Sequence, residues 1–156
     1  MKQKHQPVDI PESLDLDDPE QPRVFLRDTR AKLKIDLFYQ RGFYSPPVCP
    51  ICMNAVVEPS LHEVLLTRNT VQRSRFDVKV QIHVAQNCVL IHDPDCHRIA
   101  QHTSEGKIAC IKQLIEYEGY NNILSWLEYM DSITTLIAGE PILLLNSIEA
   151  DRRCEK

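Results

Sequence analysis

Leu26, Leu33 and Leu37 recur along residues 22–40 at intervals that place them on one side of an α-helix, and Arg23, Arg27, Arg30 and Lys34 recur at steps of four, three and four on another. Residues three and four apart are neighbours on a helix surface, so the segment is predicted to be a helix with an apolar stripe and a basic stripe. Pro22 suits its first turn, and Gly42 with Ser45-Pro46-Pro47 ends it. Pro59–Leu66 and Asn87–Ile91 are compact apolar runs that read as strands, and the alternation of Val78, Val80, Ile82 and Val84 reads as part of another. Asp93 and Pro94 then read as the cap and first position of a helix carrying Cys96, His97 and His102. Further on, Ile108, Ile111 and Ile115 share one helical face, with Ser104 as candidate cap and Gly119 at the end. Ile123, Leu127 and Met130 share a face of a second helix starting near Asn122, and Trp126 is assigned to the core. Residues 132–156 add one apolar segment, Ile142–Leu145, before a frayed charged end. Strands followed by a run of helices make an α+β chain.

The 156 residues fit one domain with extensions. Residues 1–21 hold Pro7, Pro11 and Pro19 among acids and too few apolar groups to offset chain entropy, so a disordered acidic arm is expected there. No apolar run approaches the roughly 20 residues of a membrane span, and the polar start lacks the apolar core of a secretory signal. No membrane partner and a cytoplasmic setting are therefore expected.

Taken as a total, the formal net charge of −4 argues against a nucleic-acid partner, but its distribution reverses that reading. Residues 1–20 carry two Lys and six acids (−4), residues 21–113 carry 13 Lys/Arg and eight acids (+5), and residues 114–156 carry three Lys/Arg and eight acids (−5). A basic middle between acidic ends is compatible with a polyanion. The basic stripe of the first helix has two readings, a solvated face or a set of phosphate contacts. The acidic helices over 104–131 offer a docking face for a protein partner.

Six cysteines lie at 49, 52, 88, 96, 110 and 154. Cys49-Pro50-Ile51-Cys52 is a knuckle-type pair, and His92 with Cys96 supplies an imidazole and a thiolate at the entry to a helix. Together Cys49, Cys52, His92 and Cys96 form a three-cysteine, one-histidine set, which is a closed tetrahedral site and so structural zinc. The alternative is a redox-active or incidental Cys49–Cys52 pair. Cys88 competes as a ligand, but Cys88 and Cys110 fall in apolar runs and read as small buried hydrophobes. His83 reads as structural.

The order Cys49-x-x-Cys52, then His62-Glu63, then Asn87-x4-His92-x3-Cys96-His97 resembles the HNH endonucleases, the ββα-metal nucleases with a zinc knuckle. The resemblance covers residues 49–103. Cys49 and Cys52 match the first zinc pair, Asn87 the central Asn, His92 and Cys96 the second zinc pair with a His in place of a Cys, and His97 the closing His.

The resemblance implies a ββα-metal core with a structural zinc knuckle over 49–103. An N-terminal helix and linker over 22–48 and a C-terminal helical extension over 104–156 would flank it. It implies metal-dependent hydrolysis of DNA phosphodiesters with Mg²⁺, Mn²⁺ or another divalent ion. His62 and His97 would hold that ion, Glu63 would be the base or orient water, and Asn87 would support the loop. A second register makes His62 the base and leaves Leu61 at a ligand position. Arg27, Arg30, Arg68, Arg73, Arg75 and Arg98 are the expected phosphate contacts, and His102 is either one more or a plain surface residue. Compact members of this family are common in phage, so a bacterial or phage-infected host is expected. The reading from another class is a zinc-stabilised DNA- or protein-binding module, an assembly or packaging partner without catalysis.

Overall fold

The computed structural model describes residues 5–134 and 137–155, which form six α-helices and a two-stranded antiparallel sheet. In chain order these are α1 (Glu20–Arg41), β1 (Ser60–Glu63), α2 (Phe76–Gln81), a short 3₁₀ turn (Ala85–Asn87), β2 (Cys88–Ile91), α3 (Asp95–His102), α4 (Ser104–Glu118), α5 (Tyr120–Ile133) and α6 (Gly139–Cys154). The α+β class read from the patterning is the one observed.

Strand register decides what each residue can do. Leu61 pairs with Leu90, His62 with Val89 and Glu63 with Cys88. Successive side chains on a strand point to opposite faces. Leu61, Cys88 and Leu90 pack with Leu33, Leu37 and Phe38 of α1, so that face, which also takes Glu63, lies under α1. Val89 and Ile91 join the larger core on the opposite face, the one that takes His62. The apolar stripe predicted for α1 is thus what seats it, and its basic stripe is left beside the sheet.

The C-terminal helices are not an extension. One continuous core runs from Cys49 and Val56 through Val89 and Ile91 to Trp126, Met130, Leu145 and Ile148. The expected boundary at 103/104 therefore divides a single core. Thr103, not Ser104, caps α4, its Oγ1 accepting from the Gly106 N–H at 2.9 Å. Gly119 separates α4 from α5 at φ +82°, a conformation glycine adopts without steric penalty, and α5 starts at Tyr120, two residues ahead of Asn122. Trp126 is fully buried and its indole N–H donates to the Gln81 carbonyl at 2.9 Å. The last segment stays helical to Cys154 and does not fray over the described residues.

Two further expectations are corrected. The alternating run at Val78–Val84 is not a strand: it is α2 and the turn after it. Val78, Val80 and Gln81 are all buried within one short helix, so it is covered on most sides and a period of two carries no information about its geometry. The acidic arm is also not free where it is described. Val8 donates its N–H to Gln81 Oε1 at 2.8 Å and accepts from Gln81 Nε2 at 2.9 Å, while the His5 N–H donates to Ser125 Oγ at 3.1 Å. Gln81 is buried, and its amide requires partners there that the arm backbone supplies. Residues 1–4 of that arm lie outside the described residues.

Candidate functional site

Cys49 and Cys52 sit in a tight turn closed by the Met53 N–H donating to the Cys49 carbonyl and the Cys49 N–H donating to the Asn54 carbonyl, both at 2.9 Å. His92 follows β2, and Cys96 lies in the first turn of α3. The four donor atoms of Cys49, Cys52, His92 and Cys96 lie within 4.8 Å of one another. Cys52 Sγ is 3.3 Å and Cys96 Sγ 3.9 Å from His92 Nδ1. His92 Nε2 lies 3.1 Å from the Ala55 carbonyl, a partner that takes the Nε2 proton and leaves Nδ1 as the ligating nitrogen.

The thiols divide in a way that favours a cation. A hydrogen bond from the Asn54 backbone draws Cys52 down to about 7, while burial and the neighbouring thiols push Cys96 up to about 12. Three adjacent sulfurs resist joint ionisation until a dication neutralises them. The set can hold a metal such as zinc. Cys88 and Cys110 are fully buried elsewhere, and burial raises both thiols, Cys110 to about 12. Cys154 is exposed at the end of α6.

One residue beyond Cys96, His97 meets His62. Their ring centroids are 4.9 Å apart and tilted edge to face at 69°. His97 Nδ1 is 2.8 Å from Asp93 Oδ1. Asp93 is therefore not the helix cap that was expected, since no side chain caps α3. The Ser60 hydroxyl and His97 together hold Asp93 below the usual carboxylate range. His62 is 7% exposed, and burial, then the charge of His97, pulls it down to about 4.

Asp93 and His97 open onto a cleft whose other walls include Arg27, Arg30 and Lys34 of α1 and Arg68. Among the expected phosphate contacts, Arg27, Arg30 and Arg68 are thus brought to His97, and Lys34 joins them. Arg73, Arg75 and Arg98 do not line this cleft. Arg75 is engaged by Asp77 at 3.0 Å and by the Ile133 carbonyl at 2.7 Å, and Arg98 lies 3.8 Å from Asp95. His102 is exposed.

Glu63 is not placed as a base. Strand alternation turns it to the face opposite His62, where it is 6% exposed and bonded by Arg30, with Arg68 at 3.4 Å and His83 Nδ1 at 3.7 Å. Asn87 is fully buried and wholly occupied: Oδ1 accepts from the Leu65 and Leu66 N–H groups at 2.8 and 3.0 Å, and Nδ2 donates to the Leu66 and Ile82 carbonyls at 2.7 and 2.9 Å. It clamps the chain leaving β1, and its amide has no hydrogen-bonding capacity left over. His83 is 4% exposed, and burial pulls it down to about 4.

No family model, curated protein or solved structure matches the chain. Its own side chains therefore carry the functional reading. Sequence reasoning missed Asp93 as a partner of His97, although their spacing of four within one helical turn signalled it. It also missed Arg41, whose guanidinium donates to the Cys88 and Ala85 carbonyls at 2.8 and 3.0 Å and lies 3.5 Å from Glu118.

Proposed function

We propose that the chain is a metal-dependent nuclease of the HNH type that hydrolyses DNA phosphodiester bonds. One observation carries the reading: a buried histidine from β1 meets a carboxylate-bonded histidine from α3 beside a closed metal-ligand set, and the second of them borders a cleft walled by cations. Two strands and the following helix deliver these groups in the order a ββα-metal core requires.

A divalent ion of open coordination would take a single imidazole, that of His97, from the protein and leave its other positions to water and phosphate. His97, with its Nδ1 proton held by Asp93, presents Nε2 as the free nitrogen. Such an ion, when bound, supplies Lewis-acid stabilisation of charge on the phosphate. Burial keeps His62 neutral at physiological pH, as a base must be, and its ring contact with His97 is its link to the cleft. That is the second register of the sequence, in which the strand histidine is the base, and the tethering of Glu63 to Arg30 favours it over the first. Arg27, Lys34 and Arg68 attract and orient the phosphodiester backbone, which makes binding salt-dependent. Asn87 keeps the loop after β1 in place.

A second reading, a zinc-stabilised DNA-binding module without catalysis, draws on a different observation. Among the described residues the one cluster of three or more converging metal donors is the Cys49, Cys52, His92, Cys96 set. Nicking of supercoiled plasmid with Mg²⁺ or Mn²⁺ decides between them. Wild-type protein is expected to nick, and His97→Ala and His62→Ala to lose nicking with zinc content unchanged. Folded, zinc-loaded wild type that cuts nothing with either metal overturns the nuclease reading. DNA retardation that persists in that case supports the binding module.

A further inference from the structure

The basic stripe of α1 borders a second hollow beyond the cleft, with a volume of about 440 Å³. It shares Arg27, Arg30 and Arg68 with the cleft and adds Arg23 and Lys79. Five cations around one hollow leave a strong positive field. Arg23 and Arg27 are paired only with the exposed Glu20 and Asp28 of their own helix, contacts of little strength that an incoming anion can replace. The buried Glu63 neutralises part of Arg30 and Arg68 from beneath.

The rest of the hollow is of another kind. Leu26 gives it an apolar wall, and Val71 and Ile82, 1% and 0% exposed, form the packed core directly behind that wall. Gln72 and His83 lie in the same lining. His83 Nδ1 is buried without a hydrogen bond, and at 3.7 Å Glu63 is too distant to supply one. An orphaned buried nitrogen in a cavity wall is an unmet demand for a polar ligand atom. An apolar wall, a few polar groups and a cationic rim, at a volume in the range of small-molecule sites, match the base and phosphate of a nucleotide.

We propose that this hollow holds one unpaired nucleotide of the DNA strand that lies in the cleft. Its base packs against Leu26, over the core at Val71 and Ile82, with its edge toward Gln72 and His83, and its phosphate rests on Arg27, Arg30 and Arg68. The assignment rests on the DNA-cleaving reading for the identity of the strand, and it narrows the substrate to DNA with an extrahelical or single-stranded nucleotide beside the cut. A base already out of the stack enters without the unstacking cost a paired one incurs.

The test uses full-length, zinc-loaded protein without added Mg²⁺ or Mn²⁺. It compares a 20-base-pair duplex carrying one unpaired 2-aminopurine with the same duplex fully paired. The bulged duplex is expected to bind about ten-fold tighter, with a change in 2-aminopurine fluorescence that the paired duplex lacks. The variants are Lys79→Glu and Gln72→Glu, at the hollow and outside the residues assigned to chemistry, with Arg73→Glu as a charge control outside it. The first two are expected to erase the preference and Arg73→Glu to keep it. Equal affinity for both duplexes, or a preference that survives the combined Lys79→Glu, Gln72→Glu variant, overturns the proposal. A protein that binds the bulge selectively but cuts nothing once Mg²⁺ or Mn²⁺ is added upholds the hollow and ends the cleavage reading. One that binds both duplexes equally and, with the metal added, cuts both equally does the reverse.

Discussion

Asn87 offers a sharp quantitative test, because all four hydrogen bonds of its amide are to the backbone and its side chain is fully buried. In Asn87→Ala, the Leu65 and Leu66 N–H groups lose their acceptor and the Leu66 and Ile82 carbonyls lose a donor. An orphaned buried donor costs about 1–3 kcal/mol, so the two N–H groups set a loss of about 2–6 kcal/mol. The carbonyls add less, since Ile82 keeps a weak contact with Cys88 Sγ at 3.9 Å. A loss of about 4 kcal/mol is a large part of the roughly 5–15 kcal/mol that holds a domain together. Guanidinium unfolding followed by Trp126 fluorescence reads it directly, because that buried tryptophan donates to the Gln81 carbonyl one residue from the clamp. With a slope of about 4 kcal/mol per molar denaturant, the midpoint falls by about 1 M. Asn87→Asp keeps the shape and the oxygen that accepts both N–H bonds but sets an ionised oxygen against two carbonyls, and at neutral pH it is expected to be no better than Ala. A loss below about 1 kcal/mol in Asn87→Ala would refute the clamp and reopen a role for Asn87 at the cleft.

Three further outcomes follow from the geometry. Cys52→Ser is expected to lower bound zinc well below wild type and to make folding sensitive to chelators, and an unchanged zinc content by mass spectrometry would sink the site. Arg41→Met strips the Cys88 and Ala85 carbonyls of their donor and leaves Glu118 without its cation, with an expected loss of about 3–5 kcal/mol by denaturant titration; a loss near zero would contradict the burial of that contact. His62 and His83 both titrate at about 4 in the folded chain, below the unfolded value of about 6.5. Their neutral forms therefore stabilise the fold fully above about pH 6.5, and that contribution is lost as pH falls toward 4. The slope reaches up to about 2.7 kcal/mol per pH unit when two protons are taken up on unfolding. Replacing both by Gln is expected to flatten the dependence between pH 7 and 5 at constant zinc content, and a curve as steep as wild type would refute the assignment.

What the sequence revealed depended on whether local spacing decided the geometry. The stripes of α1 were legible because one face of that helix meets the sheet and another borders open clefts, so a period of 3.6 is written into it. The metal set was legible because its ligands come in two short, locally constrained pairs. The short helix α2 was not, because burial on most sides removes the polar half of any pattern. Glu63 was misread for a different reason: adjacency in a strand looks like proximity, yet the pleat sends His62 and Glu63 to opposite faces. The register of β1 against β2 would have decided it, and register is set by the long-range packing of α1 and α4. The Asp93–His97 pair was hidden behind the same residue's qualification as a helix cap, two uses of one carboxylate that only the helix start separates.

The charge distribution gains meaning from these placements. Arg23, Arg27, Arg30 and Lys34 are not a solvated stripe alone: all four border the two adjoining hollows. The acids that outnumber them are largely committed locally. Asp15 and Asp18 of the arm interact with Gln21, Asp17 and Glu20, and no described acid of residues 5–19 pairs with a cleft arginine, so the arm does not mask the cleft by ion pairing. In the C-terminal helices Glu118 faces Arg41, Asp131 accepts from the Ala138 N–H, and Glu149 is held by both Arg152 and Arg153. The acidic docking face expected over 104–131 is reduced accordingly. At physiological ionic strength exposed charges act over about 8 Å, so a polyanion near α1 responds to the local cations and little to the chain total. A net charge of −4 and a cationic cleft are therefore compatible in one molecule, and the quantity that governs DNA approach is the field at Arg27, Arg30, Lys34 and Arg68.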